Sequence, residues 1–156
     1  MSGLAVRYID VYVLRRVSDA WELLTLRRAA GTRCTGAWEV VHGHLEDGER
    51  AVEAALRELR EETGFEAGRL YNLSRVETFY RHTTDEVALI PVFIAMVAAT
   101  SDPRLGAEHD AWRWRTLADA GTILAWPRSV RALEDIARIF AGGVDAGALE
   151  DVLRIC

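Results

Sequence analysis

A chain of 156 residues is the length of one domain, and with 50% hydrophobic and 28% charged residues its composition is that of an ordinary globular protein. The formal charge of −5 disfavours a general nucleic-acid binder. All 19 basic residues are arginine, which excludes a phosphate-loop lysine, a Schiff-base lysine and any lysine nucleophile.

Residues 4–17 are rich in β-branched and aromatic side chains and predict a strand. Ser18-Asp19 reads as a turn, and residues 21–28 as a second strand antiparallel to the first. A loop over 31–36 and a short strand over 38–41 follow. From about Glu49 to Thr63 the pattern becomes helical, with Val52, Ala55, Leu56 and Leu59 as one apolar stripe and Gly64 suited to the C-terminal cap. Residues 70–80 and 86–99 predict two long strands around the polar loop 81–85. Pro103 and Gly106 mark a loop, residues 111–115 a short strand and 117–121 a helical turn. Pro127 opens a second helix reaching about Phe140, because proline suits a first turn, and residues 145–154 suggest a short third one. The mixture predicts an α/β or α+β domain spanning residues 1–156.

The longest apolar run, 87–99, contains Pro91 and is too short to span a bilayer. Residues 1–8 lack the charged and apolar blocks of a signal peptide. Cys34 and Cys156 do not suggest a disulfide framework. The expectation is a cytoplasmic protein with no membrane segment.

The charge is concentrated. Residues 46–66 hold eight acidic side chains and three arginines, so this segment carries the whole net charge. On a helix Glu58, Glu61 and Glu62 lie at offsets of 0, 3 and 4 and project from one side. We place that side a quarter to a third of a turn from the apolar stripe, so the carboxylates would line a cleft while the stripe faces a core. Their mutual repulsion calls for neutralisation, partly by Arg57 and far more by a divalent cation. Oxygen-only clusters suit Mg²⁺ or Mn²⁺, and Mg²⁺ commonly joins a few carboxylates to substrate phosphates. The residues alone therefore indicate an acidic helix binding metal for phosphate chemistry. The competing reading is a solvated face of i, i+4 salt bridges.

The spacing decides between them. Residues 43–65 fit Gly-x5-Glu-x7-Arg-Glu-aliphatic-x-Glu-Glu-x-Gly-apolar without a mismatch. Average residue usage gives such a match on the order of once per billion starting positions. The segment resembles the Nudix box, the signature of the Nudix hydrolases. Upstream WELLTLRRAAGTRCTGAWEVVHG and downstream LIPVFIAMV and EHDAWRW follow the family order, so the resemblance spans about residues 5–140.

That resemblance implies an α+β fold, an α/β/α sandwich around a mixed sheet. It implies a pyrophosphohydrolase in which metal-activated water attacks phosphorus of a small-molecule nucleotide. Glu58 and Glu62 would ligate Mg²⁺, Glu61 would ligate it or act as base, and the Gly43 carbonyl would be a further ligand. Arg57 and Glu49 would form a supporting ion pair. WEVVHGHLEDGE reads most like the branch containing dATP and dihydroneopterin triphosphate pyrophosphatases. The expected reaction is therefore cleavage of a nucleoside or pterin triphosphate to monophosphate and pyrophosphate. The alternatives are ADP-ribose, a nucleotide sugar or a dinucleoside polyphosphate as substrate, or a non-catalytic nucleotide-sensing module. The intact Arg57, Glu58, Glu61 and Glu62 set counts against the last. Strand-edge homodimers are common in the family.

The remaining candidates are individual side chains. His42 and His44 replace glycines of the family pattern and either contact phosphate or merely fill those positions. Arg28 ends the second strand, where the resemblance implies a phosphate contact as readily as a plain surface role, with Arg27 as competitor because strand alternation sends only one of them to the site. Trp38 is a candidate for base stacking against a packing role. Glu108 is a candidate extra metal ligand or base, carried toward the cleft by a flexible 103–106 loop, and His109 is its rival.

Overall fold

The computed structural model describes residues 3–156. Eight strands form one mixed sheet: β1 (Gly3–Val6), β2 (Tyr8–Val17), β3 (Ala20–Arg28), β4 (Trp38–Glu39), β5 (Val41–His44), β6 (Arg69–Arg81), β7 (Glu86–Met96) and β8 (His109–Thr116). Four helices accompany them: α1 (Ala51–Thr63), α2 (Leu117–Ile123), α3 (Arg128–Ile139) and α4 (Glu150–Leu153), the last preceded by a 3₁₀ turn over Gly147–Leu149.

Strand β7 is the hub. It pairs antiparallel with β6 on one side and, on the other, parallel first with β1 and then with β2. The first predicted strand is thus interrupted at Arg7. Strand β2 also pairs antiparallel with β3 at its end and with β5 at its start. Strand β8 extends the sheet from β3.

Strand alternation makes two cores from one sheet. Ile9, Val11 and Val13 of β2 join Leu24, Leu26 and Val41 beneath Ala54, Ala55 and Leu59 of α1. Tyr12 and Leu14 point the other way, with Leu23 and Ile94, and are covered by Ala120 of α2 and Ala132, Leu133, Ile136 and Phe140 in and after α3. The result is the expected layered α+β fold in a single domain. Among the described residues no helix is long and apolar enough to cross a membrane.

Three details depart from the sequence reading. Helix α1 begins at Ala51 because Arg50 is the N-cap, its amide donating to the Glu53 carboxylate at 2.8 Å. Pro127 is the N-cap of α3 and lies just outside the helix. The predicted strand over 38–41 splits into β4 and β5 at Val40, the second running on to His44. Gly64 does cap α1, at φ 73°, the left-handed region that favours glycine.

Candidate active site

Helix α1 presents the acidic residues unequally. Ala55, Leu59 and Glu62 recur at i, i+4 and i+7, so Glu62 lies on the buried stripe itself and not beside it. Both of its carboxylate oxygens are buried without a hydrogen-bond partner. Burial, and then the carboxylates of Glu58, Glu39 and Glu108, push its pKa well above the ordinary range. Glu58 is largely covered and Glu61 is 57% exposed at the side chain. Burial also raises the pKa of Glu58, against the opposing effect of Arg57.

Arg57 ties this face together. Its Nε and Nη2 donate to the two Glu49 oxygens at 2.8 and 2.9 Å, and Nη2 reaches the His44 carbonyl at 2.8 Å. Nη1 donates to Glu58 at 2.9 Å and to Glu61 at 3.3 Å. The fork ties the β5–α1 loop to the helix, and the ion pair expected between Arg57 and Glu49 is formed. Gly43 lies under Glu58. A Cβ there would overlap the Glu58 carboxyl group, so only glycine lets that carboxylate reach the β5 backbone.

Glu58, Glu61, Glu62, Gly106, Ala107, Glu108 and His109 line one pocket of about 170 Å³. That is room for a cation with several waters at about 30 Å³ each. The 104–106 loop is docked and not free. Arg104 donates to the Thr63 carbonyl at 2.8 Å, and a Cβ on Gly106 would meet the Glu61 carbonyl oxygen at 2.8 Å. Glu108 therefore already stands at the pocket, 57% exposed. His109 is fully enclosed: its Nε2 is 2.9 Å from Glu39, and its Nδ1 faces Glu62 at 4.0 Å.

A divalent cation fits this donor set. The donors are oxygens, and Glu62 offers two that no protein group satisfies. Among the described residues no three acidic, histidine or cysteine side chains yet converge to enclose an ion. Glu58 is held by Arg57 and would exchange that contact for a cation.

A second pocket adjoins the first. Tyr8, Phe79 and Trp126 supply its aromatic surface, Arg28, Arg33, Arg128 and His42 its cationic and polar one, with Cys34 and Glu39 completing the lining. Arg28 and Glu39 form the wall between the pockets. Arg28 Nη1 lies 3.2 Å from Glu39 and 3.5 Å from Glu108, and Glu39 also holds His109. Alternation resolves the arginine pair: Arg27 turns to Asp110 at 2.7 Å on the outer surface. His42 enters this pocket, whereas His44 lines a separate groove with Arg7 and Arg81.

Trp38 lines none of these pockets. Its ring lies under the Arg115 guanidinium at 4.9 Å, since its neighbour Glu39 takes the inward position. Tyr8, Asp10, Glu39, Phe79, Trp126 and Arg128 were not singled out by the sequence reading. The available signals were an aspartate inside the apolar run YIDVYVL and a Trp-Pro-Arg at a helix start.

The family model of the NUDIX domain matches residues 6–136. The chain belongs to the NUDIX family. A curated relative, the asymmetrical bis(5′-nucleosyl)-tetraphosphatase of Mus musculus, is 39% identical over 128 residues, 75% of this Nudix chain and 83% of that one. The octanoyltransferase of Myxococcus xanthus is 36% identical over 117 residues, 70% of this chain, but the match spans only 30% of its length. The solved Ap4A hydrolase of C. elegans, in a binary complex, superposes with a TM-score of 0.74 at 24% identity, covering 88% of this Nudix chain and 99% of that chain.

Proposed function

We propose that this Nudix hydrolase cleaves a nucleoside polyphosphate held across the Arg28–Glu39 wall, and that a dinucleoside polyphosphate cut asymmetrically is its substrate. The observation that carries the reading is the shared wall. A cleft of about 60 Å³ lined by aromatic and arginine side chains holds only part of a nucleoside but offers stacking surface and phosphate contacts, and an acidic pocket that suits a cation lies beside it. A further groove, lined by Arg7, His44 and Arg81 but also by Asp85 and by Glu86, which pairs with both arginines, offers a place for a second nucleotide end if the phosphates displace Glu86. The named activity of the mouse relative supports the dinucleoside choice.

Glu58, Glu62 and the Gly43 carbonyl would hold Mg²⁺ or Mn²⁺, with Glu61 or Glu108 as a further ligand. The bound cation would supply charge neutralisation for the phosphates and lower the pKa of water. Arg28 orients the phosphate chain where it passes the wall. Glu61 and Glu108, each 57% exposed at the side chain, are the carboxylates able to accept a proton from the attacking water. Glu62 is too enclosed for that task. The two free, exposed cysteines suit a reducing compartment such as the cytoplasm.

A second reading, a nucleoside or pterin triphosphate cleaved to monophosphate and pyrophosphate, rests on the WEVVHGHLEDGE segment. One panel separates the two: diadenosine tetraphosphate, nucleoside triphosphates, dihydroneopterin triphosphate and ADP-ribose, each with Mg²⁺. Monophosphate plus triphosphate from the dinucleotide supports the first reading. Pyrophosphate from a triphosphate, with the dinucleotide untouched, replaces it with the second. Full activity in excess EDTA overturns both.

A further inference from the structure

Asp10 is 1% exposed, yet it is not part of the acidic pocket. Its Oδ1 accepts from His42 Nδ1 at 2.7 Å and from Arg128 Nη2 at 3.3 Å, and its Oδ2 accepts from Arg128 Nε at 2.9 Å. These three donors come from two other elements. His42 faces Asp10 in the β2–β5 register, and Arg128 opens α3. Each of the two partners is stacked on its outer side as well. The His42 ring lies on Tyr8 at 5.3 Å and 16°, and the Arg128 guanidinium lies over Trp126 at 5.0 Å. All four of those side chains line the aromatic and arginine pocket.

We propose that Asp10 is a positioning residue for nucleotide recognition, fixing the His42 ring and the Arg128 guanidinium in the orientations that the pocket presents to its ligand. The inference rests on the nucleotide reading of that pocket. A free arginine samples many rotamers and a free histidine two ring orientations, and a ligand that has to order them binds less tightly. Here Asp10 orders both before the ligand arrives. Burial alone would raise its pKa, but the donors from His42 and Arg128 outweigh burial and hold the carboxyl below the ordinary range. An ionised carboxylate only accepts, so the 2.7 Å contact calls for a proton on His42 Nδ1 and does not engage Nε2. Arg128 keeps its Nη1 group outside the contact with Asp10.

A merely architectural Asp10 would tie α3 to the sheet and affect stability alone. Positioning predicts an effect on binding that runs through its partners. The probe is ATP in EDTA-containing buffer, which stops metal-dependent turnover, with affinity measured by calorimetry and the His42 tautomer by ¹⁵N NMR. In the wild type His42 carries its proton on Nδ1. Asp10→Asn and Arg128→Gln each weaken ATP binding by about tenfold, the scale of one charge-assisted contact. The double variant, which no longer buries an unmatched arginine, binds no worse than the weaker single variant, and it reads the coupling even if Asp10→Asn alone folds poorly. A folded Asp10→Asn with wild-type affinity, additive losses in the double variant, or a wild-type His42 protonated only on Nε2 would each overturn the inference. A wild type that shows Nδ1–H but binds no ATP overturns the nucleotide reading of the pocket, and the binding role of Asp10 with it. That outcome is distinct from the three that overturn the positioning role alone.

Discussion

Asp10 and Glu62 are two carboxylates buried to nearly the same degree, with 1% and 4% of their surface exposed. Their surroundings are opposite. Asp10 has three donors from His42 and Arg128, and its pKa falls. Glu62 has no well-formed hydrogen bond to its oxygens, only the weaker influence of the His42 backbone, sits among Glu58, Glu39 and Glu108, and its pKa rises. Burial costs both of them solvation. In one case donors from the fold keep the charge, and in the other the acid meets the cost by holding its proton. A buried acid with a full set of donors stays charged and can hold its partners in place, whereas one set among other carboxylates is a candidate ligand for a cation.

Four measurements break or sharpen this contrast. The largest effect is expected at Glu62→Gln, where turnover of the substrate found in the panel falls by about 10³-fold, the upper range for losing one principal electrostatic contact. Its metal-free melting temperature does not fall, because a neutral amide replaces an acid whose charged form burial and the neighbouring carboxylates disfavour. A melting temperature several degrees lower would make Glu62 structural and erase the contrast.

Asp10→Ala is expected to do the reverse, lowering the free energy of urea unfolding by about 3 kcal/mol or more, because it leaves Arg128 and His42 in the pocket wall without their buried partner. Loss of less than ~1 kcal/mol would show that water replaces Asp10 readily.

Glu108→Gln should lower kcat by about 10²-fold, the usual scale for a positioned proton acceptor. His109→Ala should act mainly on stability, since the ring is fully enclosed between Glu39 and Glu62. If kcat drops more for His109→Ala, the proton-accepting role moves to that side. Two near-normal kcat values would return it to Glu61.

The smallest effect is in the pH dependence of metal-free stability. Glu62 holds its proton in the folded protein at pH values where the unfolded chain has released it. Stability therefore declines as pH rises from the ordinary carboxylate range through the raised Glu62 pKa. Asp10 has the opposite sign: its contribution is complete above 3.8 and is lost as pH falls through its lowered value. Glu62→Gln should flatten the first slope and leave the acid-side one intact. An unchanged profile in that variant would show that another group sets the slope.

The contrast also shows what was legible in the sequence. The Nudix segment declared its helix, its cap and its acidic residues through spacing, because those contacts are local. The burial of Glu62 was readable too, from Ala55 and Leu59 at i, i+4 and i+7, but the apolar stripe ends at an acid and was read as ending before it. Asp10 was not legible. Its partners lie 32 and 118 residues away, and only the sheet register and the docking of α3 bring them together. Arg28 and His42 of the aromatic and arginine pocket were legible, but its other walls were missed for the same reason, since it draws on β2 to β6, the 31–36 loop and the start of α3. Trp38 was singled out because tryptophan suits stacking, but alternation gave the inward place to Glu39.

The docking of residues 104–106 on the last turn of α1 bears on transplantation. The Arg104 amide closes the Thr63 carbonyl, and Gly106 rests on the Glu61 backbone with no room for a side chain. Two stretches about forty residues apart in the chain are thereby keyed to one another like the halves of a mould. Grafting residues 43–65 alone onto another scaffold would carry Glu58, Glu61 and Glu62 but leave the end of the helix open and Glu108 behind. The transferable module is the box together with 104–109, and any change in the length of α1 displaces both halves of the acidic pocket at once.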